Sequence, residues 1–297
     1  MNWGAADKGV SGVYVRIDDD FDLKKIADSG QCFRCEEIGG FWRFMTGPSV
    51  VYLKKVTKNT FYANCGKEQW ESVWVPYFDL KRNYRRIRAS VLSEAKRKDD
   101  FLARAAEAGS GIRILRQDPW ETMITFIISQ RKSIPAIRKA VLALAETCAL
   151  PADIAASRTE FFPEETLFAF PDPRSLSRLT DDQLSSCGLG YRLPYVRDAA
   201  EKALREPELF ARWERLPDEE LLAALKSVKG IGDKVANCVM LFAFGRTARV
   251  PVDTWISRVI REEYDGRDPF HRFGENAGIV QQYAFYYRRF RDTLSRK

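Results

Sequence analysis

Histidine is nearly missing from this 297-residue chain: the only one is His271, close to the C-terminus. Mechanisms that need two histidines are excluded, H-E-x-x-H zinc proteases among them. A Ser-His-Asp triad would rest on His271 alone, and no G-x-S-x-G elbow accompanies it. Cysteine is present but hardly patterned. Of Cys32, Cys35, Cys65, Cys148, Cys187 and Cys238, only the first two have C-x-x-C spacing, and no second pair completes a zinc ribbon or an iron–sulfur site. Reduced thiols are the expectation, with no metal and no cofactor. Long apolar runs are lacking too. A run such as Val239 to Phe244 is far too short to cross a bilayer. The opening Met1-Asn2-Trp3-Gly4 has neither a basic nor an apolar signal region. No membrane association or secretion is expected; the location expected is cytoplasmic, or nuclear in a eukaryote.

What is present is a globular composition, 45% hydrophobic, enough to supply a core. Lys and Arg number 48 against 41 Asp and Glu, a net charge of +7 that favours a polyanionic partner. The length suggests about two domains. From about residue 12 to 80 the chain reads as strands. Phe41-Trp42-Arg43-Phe44 follows Gly39-Gly40, Val50 to Val56 is rich in β-branched residues, and Thr60-Phe61-Tyr62-Ala63 follows a Lys58-Asn59 turn. Hairpins of an antiparallel sheet are expected there. Lys81 to Lys98 then holds eight Lys or Arg against the single Glu94, a pattern that suits a solvated helix face.

Beyond residue 99 the signals are helical. Asp118-Pro119 opens a helix before the apolar run Met123 to Ile128, and Ser133-Ile134-Pro135 opens another through Leu144. Thr180 with Gln183 has the capping-box pattern, and that short helix stops at Gly188. Pro217-Asp218-Glu219-Glu220 starts a helix running to about Ser227. The predicted fold class is α+β: an N-terminal β-rich domain over residues 1–98, then an all-helical region over 99–297. A monomer is expected.

Two turns share one grammar, Gly188-Leu189-Gly190 and Gly230-Ile231-Gly232. Gly-apolar-Gly lets the chain reverse with positive φ while the central side chain fills the groove between helices. An ordinary αα-hairpin explains either turn alone. After the second, the backbone N–H groups at a helix start are placed to bind a phosphate.

The second turn continues as Lys229-Gly230-Ile231-Gly232-Asp233-Lys234-Val235-Ala236-Asn237-Cys238, and Val250-Pro251-Val252-Asp253-Thr254-Trp255 lies further on. With these segments the chain resembles the helix-hairpin-helix, Gly/Pro-rich, Asp-containing (HhH-GPD) DNA glycosylase superfamily, most of all its 8-oxoguanine DNA glycosylase/AP lyase family. The resemblance extends to Ile112-Arg113-Ile114-Leu115-Arg116-Gln117-Asp118-Pro119-Trp120-Glu121, to Gly188-Leu189-Gly190-Tyr191-Arg192, and to Ser29-Gly30-Gln31-Cys32-Phe33-Arg34. It covers most of the chain, in family order.

The resemblance implies a bifunctional glycosylase/AP lyase acting on damaged double-stranded DNA, with 8-oxoguanine as substrate. Lys234 would be the nucleophile that attacks C1′ of the deoxyribose and forms a Schiff base. It stands in a first helical turn, where the helix dipole disfavours a cation. Asp253 is a good N-cap in its own right. A carboxylate in that place would also stabilise positive charge developing at the sugar. By the same resemblance Gly30, Cys238, Gln281 and Phe285 would bind the extruded base. Gly30 would do so through the carbonyl that accepts the N7 hydrogen of 8-oxoguanine. Gln281 and Phe285 have i, i+4 spacing on one helical face. Contacts with DNA are expected from Gln130, Arg131, Arg192, Lys229, Gly230 and Gly232.

Two departures from the family pattern stand out. Ser129-Gln130-Arg131-Lys132-Ser133 replaces an Asn-rich turn, and Ala136 stands where an Arg would help read the opposite cytosine. Trp255 occupies the place of a phosphate-binding His. Two alternatives are carried forward: a glycosylase for alkylated or other oxidised bases, and a non-catalytic hairpin module that binds damaged DNA.

Overall fold

The computed structural model describes residues 12–95, 99–149, 162 and 166–294, with side chains through residue 291. The first part is built on a five-stranded antiparallel sheet in the order β1-β5-β4-β3-β2, with β1 Val13–Arg16, β2 Cys35–Ile38, β3 Phe41–Thr46, β4 Ser49–Lys55 and β5 Thr60–Ala63. Ile38 pairs with Phe41, so the β2–β3 turn is Gly39-Gly40 alone. Both glycines have positive φ, as a two-residue hairpin with right-handed strand twist requires. One sheet face packs Phe44, Val51, Leu53 and Phe61 against Ile26, Trp74 and Phe78. The other buries Phe41, Met45, Val50 and Tyr52 with Leu167.

The stretch expected as strands also contains helices. Leu23–Asp28 is helical, capped by Asp22, and buries Leu23, Ile26 and Ala27 along one face. Lys67–Gln69, Trp70–Trp74 and Val75–Tyr77 follow one another as a helical segment with a central π turn. Its aromatic residues favour strands by propensity. Trp70, Trp74, Tyr77 and Phe78 recur at helical spacing, however, and all four are buried, so packing overrides propensity.

The rest is helical. Pro119–Ser129 is capped by Asp118, whose Oδ1 accepts the Glu121 N–H at 2.7 Å, with proline in its first turn. Ile134–Cys148 extends a turn beyond the expected Leu144 and ends where Ala149 turns left-handed. Asp181–Ser186 has the complete Thr180–Gln183 capping box, and Asp218–Lys226 lies where its acidic first turn indicated. Tyr84, Val91 and Ala95, from the helix Tyr84–Ala95, already belong to the helical core. The boundary expected between 98 and 99 falls beside residues 96–98, outside the described residues. Part of the basic run is neutralised rather than solvated, through Arg82–Asp79 and Arg88–Asp20 ion pairs.

Arg113 joins the two parts. It is fully buried, and all five of its N–H groups are used: on the carbonyls of Phe78, Asp20, Asp79 and Arg82 and on Asp19 Oδ2, at 2.6–2.9 Å. A guanidinium buried without such partners would cost several kcal/mol, of order 3–5. Among the described residues no helix is long and apolar enough to cross a membrane.

Candidate active site

A cavity of about 880 Å3 opens where the sheet part, the hairpin and the C-terminal helix Ala277–Leu294 meet. Its lining includes Gly30, Lys234, Cys238, Asp253, Gln281 and Phe285, so all six expected catalytic and base-binding residues face one space. They come from four separate elements. Lys234 and Cys238 stand one turn apart on Asp233–Phe242, Asp253 caps Thr254–Tyr264, and Gln281 and Phe285 share a face of Ala277–Leu294. Gly30 lies in the loop after Leu23–Asp28, with φ +76.

That loop is held on both sides. Gln31 donates to Ser29 Oγ at 2.7 Å and to the Arg113 carbonyl at 2.8 Å, and its Oε1 accepts the Leu115 N–H at 2.7 Å. Gln117 donates to the Gln31 carbonyl at 2.8 Å, and Gln282 donates to the Ser29 carbonyl. The peptide groups around Gly30 are thus clamped by buried amides. Across the cavity Gln281 is 3% exposed, yet its Oε1 has no partner among the described residues. A buried acceptor left open at a cavity wall is a group that awaits a donor.

Lys234 Nζ lies 3.3 Å from Ser129 Oγ and 5.0 Å from the centre of the Phe126 ring. Asp253 Oδ1 accepts the Ile256 N–H at 2.9 Å, so the expected cap is in place. Burial raises the Asp253 pKa above the ordinary carboxylate value, and the Ile256 N–H and the Lys234 charge oppose that rise. The Cys238 thiol is pushed up to about 11 by burial, although Lys234 pulls the other way. It is a neutral packing group at physiological pH. An amine and a carboxylate on the floor of a largely apolar cavity can perform nucleophilic attack at an electron-poor carbon and stabilise positive charge there. Among the described residues no group of three or more His, Cys, Asp or Glu could hold a metal ion.

Family comparisons agree along the chain. The 8-oxoguanine DNA glycosylase N-terminal domain matches residues 14–123, and the HhH-GPD superfamily base excision DNA repair protein family matches residues 124–267. The structure of MBOgg1 in complex with a low-affinity DNA ligand superposes with a TM-score of 0.85 at 33% identity, over 98% of this chain and 100% of that one. The chain belongs to the 8-oxoguanine DNA glycosylase family. Another member, the Clostridium acetobutylicum 8-oxoguanine glycosylase/lyase in complex with double-stranded DNA containing cytosine opposite 8-oxoguanine, superposes with a TM-score of 0.84 at 31% identity, again over 98% and 100% of the two chains. A probable N-glycosylase/DNA lyase of Methanothermobacter thermautotrophicus is 26% identical over 259 residues, 74% of this chain and 80% of that protein.

The DNA-facing residues expected in this glycosylase divide into two groups. Lys229 and Gly232 are exposed at the hairpin, and no side chain caps the helix that follows Gly232, which leaves its first N–H groups open. Arg131 is exposed at the tip of the turn after Pro119–Ser129, lines the cavity, and holds a left-handed φ of +51. Gln130 is partly committed inward, its amide donating to the carbonyls of Ile127 and Gly230 at 3.1 Å each. Arg192, also expected among the DNA contacts, is turned inward. It is 6% exposed and donates to the Gln130 and Leu189 carbonyls, and so satisfies peptide oxygens of two turns.

The hairpins also differ in detail from the expected pattern. Gly188, Gly190 and Gly230 have positive φ, whereas Gly232 is extended at φ −97. A Cβ on Gly230 would lie 2.4 Å from the Tyr195 ring, so contact as well as φ demands glycine there. Trp255 lines the cavity, with the Arg258 guanidinium 5.6 Å from its ring centre. Ser129, Gln31, Gln117 and Gln282 were not expected as part of the site. No local spacing marks them, since the partners that tie them to the rest of the site lie 82–253 residues away.

Proposed function

We propose that this chain is a DNA repair glycosylase with AP lyase activity that excises 8-oxoguanine from duplex DNA. The observation that carries the reading is the convergence of Lys234, Asp253, Gly30 and the open Gln281 acceptor on one cavity. Inside a duplex neither C1′ nor the base edge can be reached, so the lesion is flipped out of the stack into the cavity. Arg131 enters the space it leaves, and the hairpin N–H groups and Lys229 hold the phosphates. The Gly30 carbonyl accepts the N7 hydrogen that only the oxidised base carries, Gln281 meets the Watson–Crick edge, and Phe285 and Cys238 pack on its faces.

Lys234 Nζ then bonds to C1′ while the glycosidic electron pair leaves with the base. Asp253 stabilises the cationic sugar in between. Proton loss from nitrogen and opening of the sugar ring give the Schiff base. Removal of a C2′ proton from it expels the 3′ phosphate. The protein works as a monomer and needs no cofactor.

Borohydride trapping on a panel of duplexes carrying 8-oxoguanine, other oxidised bases or alkylated bases tests this reading. The expected result is a covalent adduct with 8-oxoguanine DNA that Lys234→Gln does not form, although that variant still binds. Asp253→Asn should keep the cap and lose much of the excision rate. A trappable Lys234→Gln variant would remove Lys234 from its role, and adducts formed only with another lesion would reassign the substrate.

A further inference from the structure

Ser129 ends the helix Pro119–Ser129 and is 8% exposed beside the cavity. Its hydroxyl proton is committed, because Oγ donates to the Phe126 carbonyl at 2.7 Å. A hydroxyl has only one proton to give, so toward Lys234 Nζ, 3.3 Å away, Ser129 can act only as an acceptor. The Phe126 ring, on the same helix, offers its electron-rich face to the same nitrogen at 5.0 Å.

We propose that Ser129, backed by the Phe126 ring, is the positioning residue that aims the Lys234 amine at the substrate. The proposal rests on the reading of Lys234 as nucleophile. A neutral amine has two N–H bonds and one lone pair in a tetrahedral arrangement. With one N–H on Ser129 Oγ and the other over the Phe126 face, both acceptors lie on one helix, while the Cys238 thiol, one turn along the helix of Lys234, is the amine's third neighbour. The lone pair then points away from that helix, into the cavity that Lys234 shares with Asp253. Ser129 with a free hydroxyl proton could donate to the lone pair and block attack; the bond to the Phe126 carbonyl prevents this. A lysine stem has four rotatable bonds, so an unaimed amine samples many orientations unfit for attack.

The experiment compares wild type, Ser129→Ala and Ser129→Thr in single-turnover excision on 8-oxoguanine duplex, with the Kd for that duplex and the Tm measured in parallel. Ser129→Ala should excise and form borohydride-trapped adduct roughly 10–100-fold more slowly, the scale expected for a nucleophile misplaced by about an ångström. Its Kd should stay within about twofold of wild type, because aiming acts on the chemical step rather than on binding. Ser129→Thr, which keeps the hydroxyl, should recover most of the rate. Three results would overturn the proposal: wild-type excision by Ser129→Ala, a rate loss matched by equal losses of affinity and Tm, or a threonine variant as slow as the alanine one. Absence of a trapped adduct with wild type would instead remove Lys234 as nucleophile, and the proposal with it. An adduct formed by wild type and not by Lys234→Gln keeps the two questions separate.

Discussion

Gly30→Ala separates base recognition from sugar chemistry. Gly30 has φ +76, and a Cβ there would lie 3.1 Å from the edge of the Phe285 ring and 3.4 Å from Ile134 Cδ1. An L-residue in this conformation costs about 1–2 kcal/mol, partly offset by the lower chain entropy of unfolded alanine. The net loss of about 1 kcal/mol lowers Tm by only about 2 °C in a protein of this size. The functional effect is larger than the stability effect. To admit the methyl group the Phe285 ring must move by a few tenths of an ångström, into the slot where the base sits. Misplacement on this scale, a fraction of the ångström that costs about 100-fold, lowers single-turnover excision of 8-oxoguanine by about tenfold. Cleavage at a preformed abasic site needs no base in the slot and should stay within a few-fold of wild type. Equal losses in both reactions, or no loss in either, would refute the placement of Gly30 against the base.

Three further predictions rest on other parts of the molecule. Glu121 accepts the Gly47 N–H at 2.7 Å and pairs with Arg34, but burial dominates and pushes its pKa from 4.5 to about 7. The folded state therefore holds a proton that the unfolded chain releases, and stability falls between pH 4.5 and 7 by up to about 3 kcal/mol; urea titrations at pH 5 and 8 should show the fall in wild type and its loss in Glu121→Gln, and an unchanged pH dependence in the variant would contradict the assignment. Arg131→Gly removes the guanidinium while accepting the left-handed backbone freely, so Tm should hold or rise while excision slows opposite every base; a normal rate would exclude Arg131 from the flipping step. Arg192 is turned inward and the Asn-rich turn is missing, and each lost base contact forfeits about 1–3 kcal/mol of discrimination. Single-turnover assays opposite the four bases should therefore show a weak preference for cytosine, and strict selectivity would mean that other residues read it.

Local signals placed much of this architecture. Asp118-Pro119 and Thr180 with Gln183 mark helix starts because a cap acts within one turn of itself, and Asp218-Glu219-Glu220 marks one because the helix dipole favours carboxylates in the first turn. Lys234 and Asp253 were legible only through the resemblance of their segments to the glycosylase family, since a lysine in a first helical turn and an aspartate at an N-cap are ordinary by themselves. The helical segment from 67 to 77 was less legible. Its aromatic residues have strand propensity, and the four-residue interval between Trp70 and Trp74 becomes decisive only once both are seen to be buried.

What only the tertiary structure decided is how the candidate catalytic groups are held and turned. Gln31, Gln117, Gln282 and Arg113 gain their roles only when the fold brings their partners from distant segments. Arg192 was expected to face DNA and is instead the donor that satisfies the Gln130 carbonyl. Ser129 carried no expected role, and its link to Lys234 spans 105 residues. By itself the sequence determined the helix starts and the hairpin, and its resemblance to the family singled out the candidate residues, because each of these signals lies within a short contiguous stretch of chain. Orientation was left to the fold, because a buried polar group must find a partner wherever packing has excluded water, and that partner is chosen by proximity in space.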